Sequence, residues 1–268
     1  MQFDLFNHSQ SVAWRNDVIH AVARADAVAA RLAWDSLHQN CPQDDGLGPL
    51  WVLVTAVATD SAVPFRSHEA LADARRVLDQ EIAPAARAAG LPYQPLQADD
   101  HAAPLWLRAG NWQAAADAVT GIASWRRIPA PLAWMLLARL QLQGLPANWP
   151  LVAELAWLAP DRLDGVARAV AEPLLQALLR QFVQGFDGGD ERSDLAWFPA
   201  WVLIEQPALA AALTQAQPSQ HSAPEQAMRL LLGLLGLERQ GRQRELIEHR
   251  KRLRDLQASL YNRYMARR

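Results

Sequence analysis

Residues 12–42 read VAWRNDVIHAVARADAVAARLAWDSLHQNCP, and their spacing decides the fold. Apolar residues recur at three- and four-residue intervals on both sides of Ala25-Asp26. That spacing predicts two helices, near 11–24 and 26–39, joined by one sharp turn. Ala30 is small enough to let the two helices approach closely, and Trp34 fills the groove one turn later. Leu37 continues the buried stripe, and Pro42, which has no N–H to donate, ends the second helix.

The same periodicity runs outward from this pair. It predicts helices near 47–59, 67–89, 112–122, 131–143, 150–158, 161–186, 195–204, 206–215, 224–240 and 243–266. Turn chemistry separates them, as at Pro42–Gly46, Gly90-Leu91-Pro92, Gly144-Leu145-Pro146 and Asp187–Asp190. Most prolines stand near helix starts, where a missing N–H costs little, but Pro173 falls inside 161–186 and predicts a break there. No stretch alternates apolar and polar residues over a strand's length. The expected fold is therefore all-α: antiparallel helix hairpins stacked as an α-solenoid or a compact helical array. The expected organisation is a short N-terminal peptide (1–10) and a single helical domain (11–268). Kinks are expected near 91–104, where prolines and an acidic pair cluster, and near 216–224, rich in Gln, Ser and Pro.

Trp14, the turn Ala25-Asp26, Ala30, Trp34, Leu37 and Pro42 together resemble a tetratricopeptide repeat. Gly110-Asn111-Trp112 followed by Ala115 resembles the same family's interhelix turn, and Asn148-Trp149 and Gly241 are fainter copies. The first copy lacks the turn glycine, and helix lengths vary. The resemblance implies a TPR-like array that binds other proteins, and it implies that Trp14 and Trp34 meet across the first hairpin.

Composition narrows the class further. Of 268 residues 51% are apolar, enough to exclude disorder over most of the length. The lone Cys41 cannot form an internal disulfide, the N-terminus has no signal-peptide pattern, and no apolar run approaches the roughly 18 residues of a membrane span. The expected location is the cytoplasm, with no membrane partner. The formal charge of −2 hides an asymmetry. Residues 239–268 hold ten Arg/Lys against three Asp/Glu, whereas the preceding 238 hold 16 against 25.

Signals for chemistry are sparse. The seven histidines are scattered with no HExxH, and no nucleophile motif or glycine-rich phosphate loop is present. Glu245 and His249 share a helical face as an ordinary surface pair would, and Asp99-Asp100-His101 suits a helix cap better than an acid–base site. The expectation is a non-enzyme without cofactor, metal or catalytic residues. Eleven tryptophans point mainly to helix–helix contacts. Trp112, Trp125 and Trp149, which abut turns or charges, are the better surface candidates.

Two terminal segments suggest partners. In the last predicted helix Leu246, Leu253, Leu256, Leu260 and Tyr264 form an apolar stripe with the arginines mostly off it. The stripe fits a capping helix, and Arg250, Lys251 and Arg254 are candidate contacts to nucleic-acid phosphates. At the other end, Gln2-Phe3-Asp4-Leu5-Phe6 resembles the pentapeptide by which bacterial replication and repair proteins dock on the sliding clamp. The resemblance implies that Gln2 is held by hydrogen bonds and that Leu5-Phe6 enters an apolar pocket. Phe3 replaces the usual leucine. The alternative is a structural plug, with Phe3, Leu5 and Phe6 covering the first helix pair. The favoured partner is thus a protein, the sliding clamp being the specific candidate.

Overall fold

The computed structural model describes residues 3–59, 63–186, 194–218 and 222–268, with side chains from Gln10 onward. The protein is all-α. Helix accounts for 80%, and among the described residues no strand forms, only one isolated bridge between Phe65 and His101. The chain divides into two compact units, 1–101 and 102–268, and the division falls inside the proline-marked joint at 91–104.

The first unit opens with α1 (Phe3–Ala23) and α2 (Ala27–Asn40), followed by α3 (Leu47–Thr59). Helix α4 (His68–Val77) runs through a π-helical turn, Leu78–Ile82, into α5 (Ala83–Ala88). The widened turn precedes Pro84, whose ring would meet a carbonyl of a regular α-helix. Val18 and Ala21 of α1, Ala30 and Leu37 of α2, and Leu50, Leu53 and Val54 of α3 form one core. Ala30 and Leu37 are fully buried, as their spacing requires. Trp14 and Trp34 both pack on this core, but they do not pair as expected. Trp34 lies against Trp51, with ring centroids 4.4 Å apart, and stacks on His38, while its indole N–H donates to the Leu47 carbonyl at 3.1 Å. Trp34 therefore packs toward α3.

The second unit contains α6 (Ala102–Arg108), α7 (Trp112–Thr120), α8 (Pro129–Gln143), α9 (Trp149–Leu158), α10 (Pro160–Val170) and α11 (Pro173–Gly185). After these come α12 (Phe198–Glu205), the single turn α13 (Ala210–Leu213), α14 (Ala223–Gln240), α15 (Gln243–Leu256) and α16 (Ala258–Ala266). Helices α9 and α12 are apolar almost all round and lie at the centre, as such helices must. Phe182, Phe186, Phe198 and Trp201 form an aromatic cluster there. The predicted helix 161–186 breaks at Ala171-Glu172, just before Pro173. The predicted single helix 243–266 also breaks, at Gln257, whose extended backbone and side-chain cap on Ser259 N–H start α16. The break lets Leu246 and Leu253 bury on one helix axis and Leu260 and Tyr264 on another.

One junction recurs across the fold. The Ala25 N–H donates to the Val22 carbonyl and the Asp26 N–H to Ala21, with Ala25 left-handed at φ 53°. Gly90-Leu91, Gly110-Asn111 and Gly241-Arg242 repeat the pattern with glycine at φ 68–70°. These are Schellman terminations, in which two orphan helix carbonyls are satisfied by the residues that leave the helix. Asn148-Trp149 is built differently. It follows a 3-10 turn, and the buried Asn148 amide donates back to the Arg139 and Gly144 carbonyls.

Candidate functional site

The largest hollow described lies between α10 and α11. Pro173 cannot continue α10, and it pushes Glu172 into an extended backbone, so α11 departs in a new direction. Near the joint, Gln176 Nε2 donates to the Ala167 carbonyl at 3.0 Å and closes the apex. Farther out the two helices leave a cleft of about 690 Å³, within the roughly 300–1,000 Å³ range of ligand sites. Leu163 and Val166 on one helix, and Leu175, Leu178 and Phe182 on the other, face the core, while the buried Ala167 and Leu179 also border the cleft. The outward stripes that line the cleft carry Asp161, Asp164 and Arg168, then Gln176, Arg180 and Val183. Asp164 pairs with Arg168 at 2.7 Å. Among the described residues no carboxylate pairs with Arg180. Val183 is 67% exposed, an unusual position for a valine flanked by polar residues. The cleft thus offers an apolar wall, and among the described residues the Arg180 guanidinium beside it has no carboxylate partner.

A smaller hollow of about 190 Å³ has a floor of Leu203, Ile204, Leu231 and Leu235, with Glu205, Tyr264, Arg267 and Arg268 at its mouth. It is large enough for one side chain. The two carboxylates here organise the arginines of the last helices. Glu205 accepts from Arg263 at 2.6 Å and from Arg267. Glu238 accepts from the Tyr264 hydroxyl and faces Arg250 at 3.5 Å and Arg268 at 2.7 Å. Burial, and then the hydrogen bond to Glu238, push the Tyr264 phenol above its ordinary range.

Two buried carboxylates in this unit are of the type a catalytic site would use, but both are tied into the fold. Glu154, in the middle of apolar α9, accepts from the Gln217 N–H at 2.8 Å and faces Arg126 at 3.5 Å. Burial pushes its carboxyl above the usual carboxylate range, opposed by the Gln217 hydrogen bond and by Arg126 and Arg139. Glu225 pairs with Arg229, which donates to the Ala216 carbonyl at 3.3 Å. Together they tie the chain at Ala216 to the first turns of α14. Among the described residues no three His, Cys, Asp or Glu side chains gather as a metal site requires. Asp100 accepts from the Gln97 N–H as a cap.

The residues singled out from sequence are not brought together. Gln2 lies outside the described residues. Phe3, Asp4, Leu5 and Phe6 begin α1, and their side chains are also outside the described part. Arg250 is half-buried beneath Tyr264 and faces Glu238, so it is committed within the fold. Lys251 and Arg254 are exposed, the latter against Asp255 at 3.3 Å. Trp112 and Trp125 are half-buried, but Trp149 is only 2% exposed and is a core residue, because α9 runs through the centre of its unit. The exposed indole is Trp106, at 44%. Only the Pro173 break hinted at the cleft, and it gave no measure of how far the helices diverge.

Comparison with known protein families, with curated proteins and with solved structures returns no match. No single helix among the described residues is long and apolar enough to cross a membrane.

Proposed function

We propose that the protein is a non-catalytic interaction scaffold that holds a partner's peptide or helix in the α10–α11 cleft. The observation that carries this reading is the exposed Val183 beside Arg180, which has no carboxylate partner among the described residues, in a hollow of about 690 Å³. An amphipathic segment could bury apolar side chains on Leu179 and Val183 and place a carboxylate against Arg180. The repeated Schellman junctions support a TPR-like origin for the array, and that family's expected role is binding. The test compares the partners retained by wild type with those retained by Arg180→Glu/Val183→Asp. Both side chains point away from the core, so the variant should fold normally and lose a specific partner. An unchanged set of partners would remove the cleft from the proposal.

A second reading makes the scaffold a cytoplasmic, bacterial replication or repair accessory tethered to the sliding clamp. It rests on the match of Gln2-Phe3-Asp4-Leu5-Phe6 to the docking pentapeptide. Calorimetry of purified clamp against a synthetic peptide of residues 1–10 tests it directly. Measurable binding that Leu5→Ala/Phe6→Ala abolishes is the expected result. Silence from both peptide and full-length protein would leave the adaptor for an unrelated partner.

A further inference from the structure

We infer that the outward face of α15 is a contact surface for the phosphodiester backbone of a nucleic acid. This goes beyond the cleft and does not depend on it. The fold sorts most of the basic residues of the last 30 positions into two sets, beside Arg242 and Arg254, which pair with Glu245 and Asp255. Arg250, Arg263, Arg267 and Arg268 turn inward onto Glu205 and Glu238. Arg239, Arg244, Lys251 and Arg252 stand exposed, and among the described residues no carboxylate pairs with them. The first set closes the end of the unit. Among the described residues the second joins no ion pair and leaves like charges side by side, which a fold does not require.

Geometry makes the second set a line. Leu246 and Leu253 are buried, so the opposite side of α15 faces water, and Arg244 and Lys251 lie at its centre. Seven residues of α-helix separate them by about 10.5 Å along the axis. That is about three phosphate steps of one strand, at roughly 3.4 Å of duplex axis each. Arg252 flanks the line on one side, and the Arg254–Asp255 pair is internally neutral. On α15 Glu248 shares the face and offsets one of the three bare cations, leaving a surplus of about two charges.

The chemistry of the face selects among polyanions. A helix that binds anionic lipid must bury an apolar face in the membrane. Here that face is already spent on Leu246 and Leu253, and Ile247 is the one exposed apolar residue of α15. The helix has no Trp, Tyr or Phe on which a base could stack, so single strands gain nothing over duplexes. The contact is electrostatic and indifferent to sequence.

Fluorescence anisotropy of the full chain with a labelled DNA duplex, an RNA duplex and anionic vesicles, at several salt concentrations, tests this. With about two phosphates neutralised, log affinity should fall with log salt at a slope near −2, a loss of about tenfold between about 50 and 200 mM. Arg244→Glu/Lys251→Glu/Arg252→Glu should reduce duplex affinity more than tenfold. Arg24→Glu/Arg66→Glu/Arg162→Glu makes the same change of net charge at exposed positions elsewhere and should leave affinity within about twofold. Circular dichroism of both variants confirms that they fold. No duplex binding by wild type at low salt overturns the inference. So does an equal loss in the charge-matched control, or a preference for vesicles over either duplex.

Discussion

The first hairpin, α1–α2, and the last, α14–α15, leave their opening helices by the same Schellman turn but use their arginines in opposite ways. In the first, Arg15 grips Asp44 through Nε at 2.7 and 2.8 Å and anchors the loop after α2. Arg31 lies over the Trp51 ring at 4.4 Å and pairs with Asp35. In the last, Arg244, Lys251 and Arg252 are exposed, with no carboxylate partner among the described residues. Turn geometry is set locally by backbone hydrogen bonds, so it recurs. Charge disposal depends on what each helix meets, so it does not. Arg24, just past α1, is exposed as well, so the contrast is one of number: α15 alone leaves three cations without an ion pair among the described residues.

The largest expected effect shows what the two hairpins share. Leu37 and Leu253 are both fully buried on the second helix of their pair. Leu37→Ala and Leu253→Ala should each cost about 2–5 kcal/mol. Hydrogen exchange should place the loss in 1–101 for the first and in 102–268 for the second. A loss spread evenly over both would break the comparison, because the hairpins would not then belong to separately stable units. Trp34→Ala should cost less than a fully buried tryptophan would, since its ring is only half covered.

The arginines separate the hairpins next. Asp44 is nearly buried and also accepts from the Gly46 N–H at 2.8 Å, so Asp44→Ala should cost about 1–3 kcal/mol. Lys251→Ala, by contrast, should stay within about 0.5 kcal/mol. Urea midpoints at constant slope measure both. A destabilising Lys251→Ala would mean that the exposed cations serve the fold after all.

Glu154 adds a pH-dependent version of the same contrast. Its folded carboxyl titrates above the usual range, so the native state binds a proton more readily than the unfolded chain. This group's contribution to stability therefore falls as pH rises from the ordinary carboxylate value through the raised one. Glu154→Gln removes the titration and can still accept from Gln217. Its stability relative to wild type should improve from acid toward neutral pH. A constant difference, followed by thermal melts across that range, would show that burial does not perturb Glu154.

How much of this was legible in sequence follows from the range of each interaction. Most helices were legible, because three-to-four spacing is local, and the break at Pro173 was legible because the ring forbids continuation, but α6, beside the proline-marked joint, was not expected. The break at Gln257 was not, since neither glycine nor proline marks it. Trp149 looked like a surface residue because it abuts a turn, yet its burial is decided by helices far along the chain. Glu154 gave no sign of its role, because Gln217, the group it holds, lies 63 residues away. The cleft depends on how far α10 and α11 diverge, which is a tertiary quantity.

The smallest effect tests the turn that the two hairpins have in common. Ala25 holds a left-handed φ of 53°, where Gly241 has 68° in the equivalent position. The left-handed region costs an L-residue about 1–2 kcal/mol, and glycine escapes this at an entropic cost of roughly 0.5–1 kcal/mol in the unfolded chain. Ala25→Gly should therefore stabilise the first hairpin by about 0.5–1 kcal/mol. Gly241→Ala should destabilise the last by a similar amount. A Cβ built on Gly241 meets nothing within 4 Å, so the loss would be backbone strain alone, with no steric part. Asp26, whose side chain accepts from the Ala29 N–H at 2.9 Å, is left intact by the first change. Thermal melts of the two variants should then shift by comparable amounts in opposite directions. If Ala25→Gly lowers the melting temperature, the entropy of the added glycine outweighs the strain it relieves. The missing glycine of the first junction would then be a stabilising choice and no weakness of the turn.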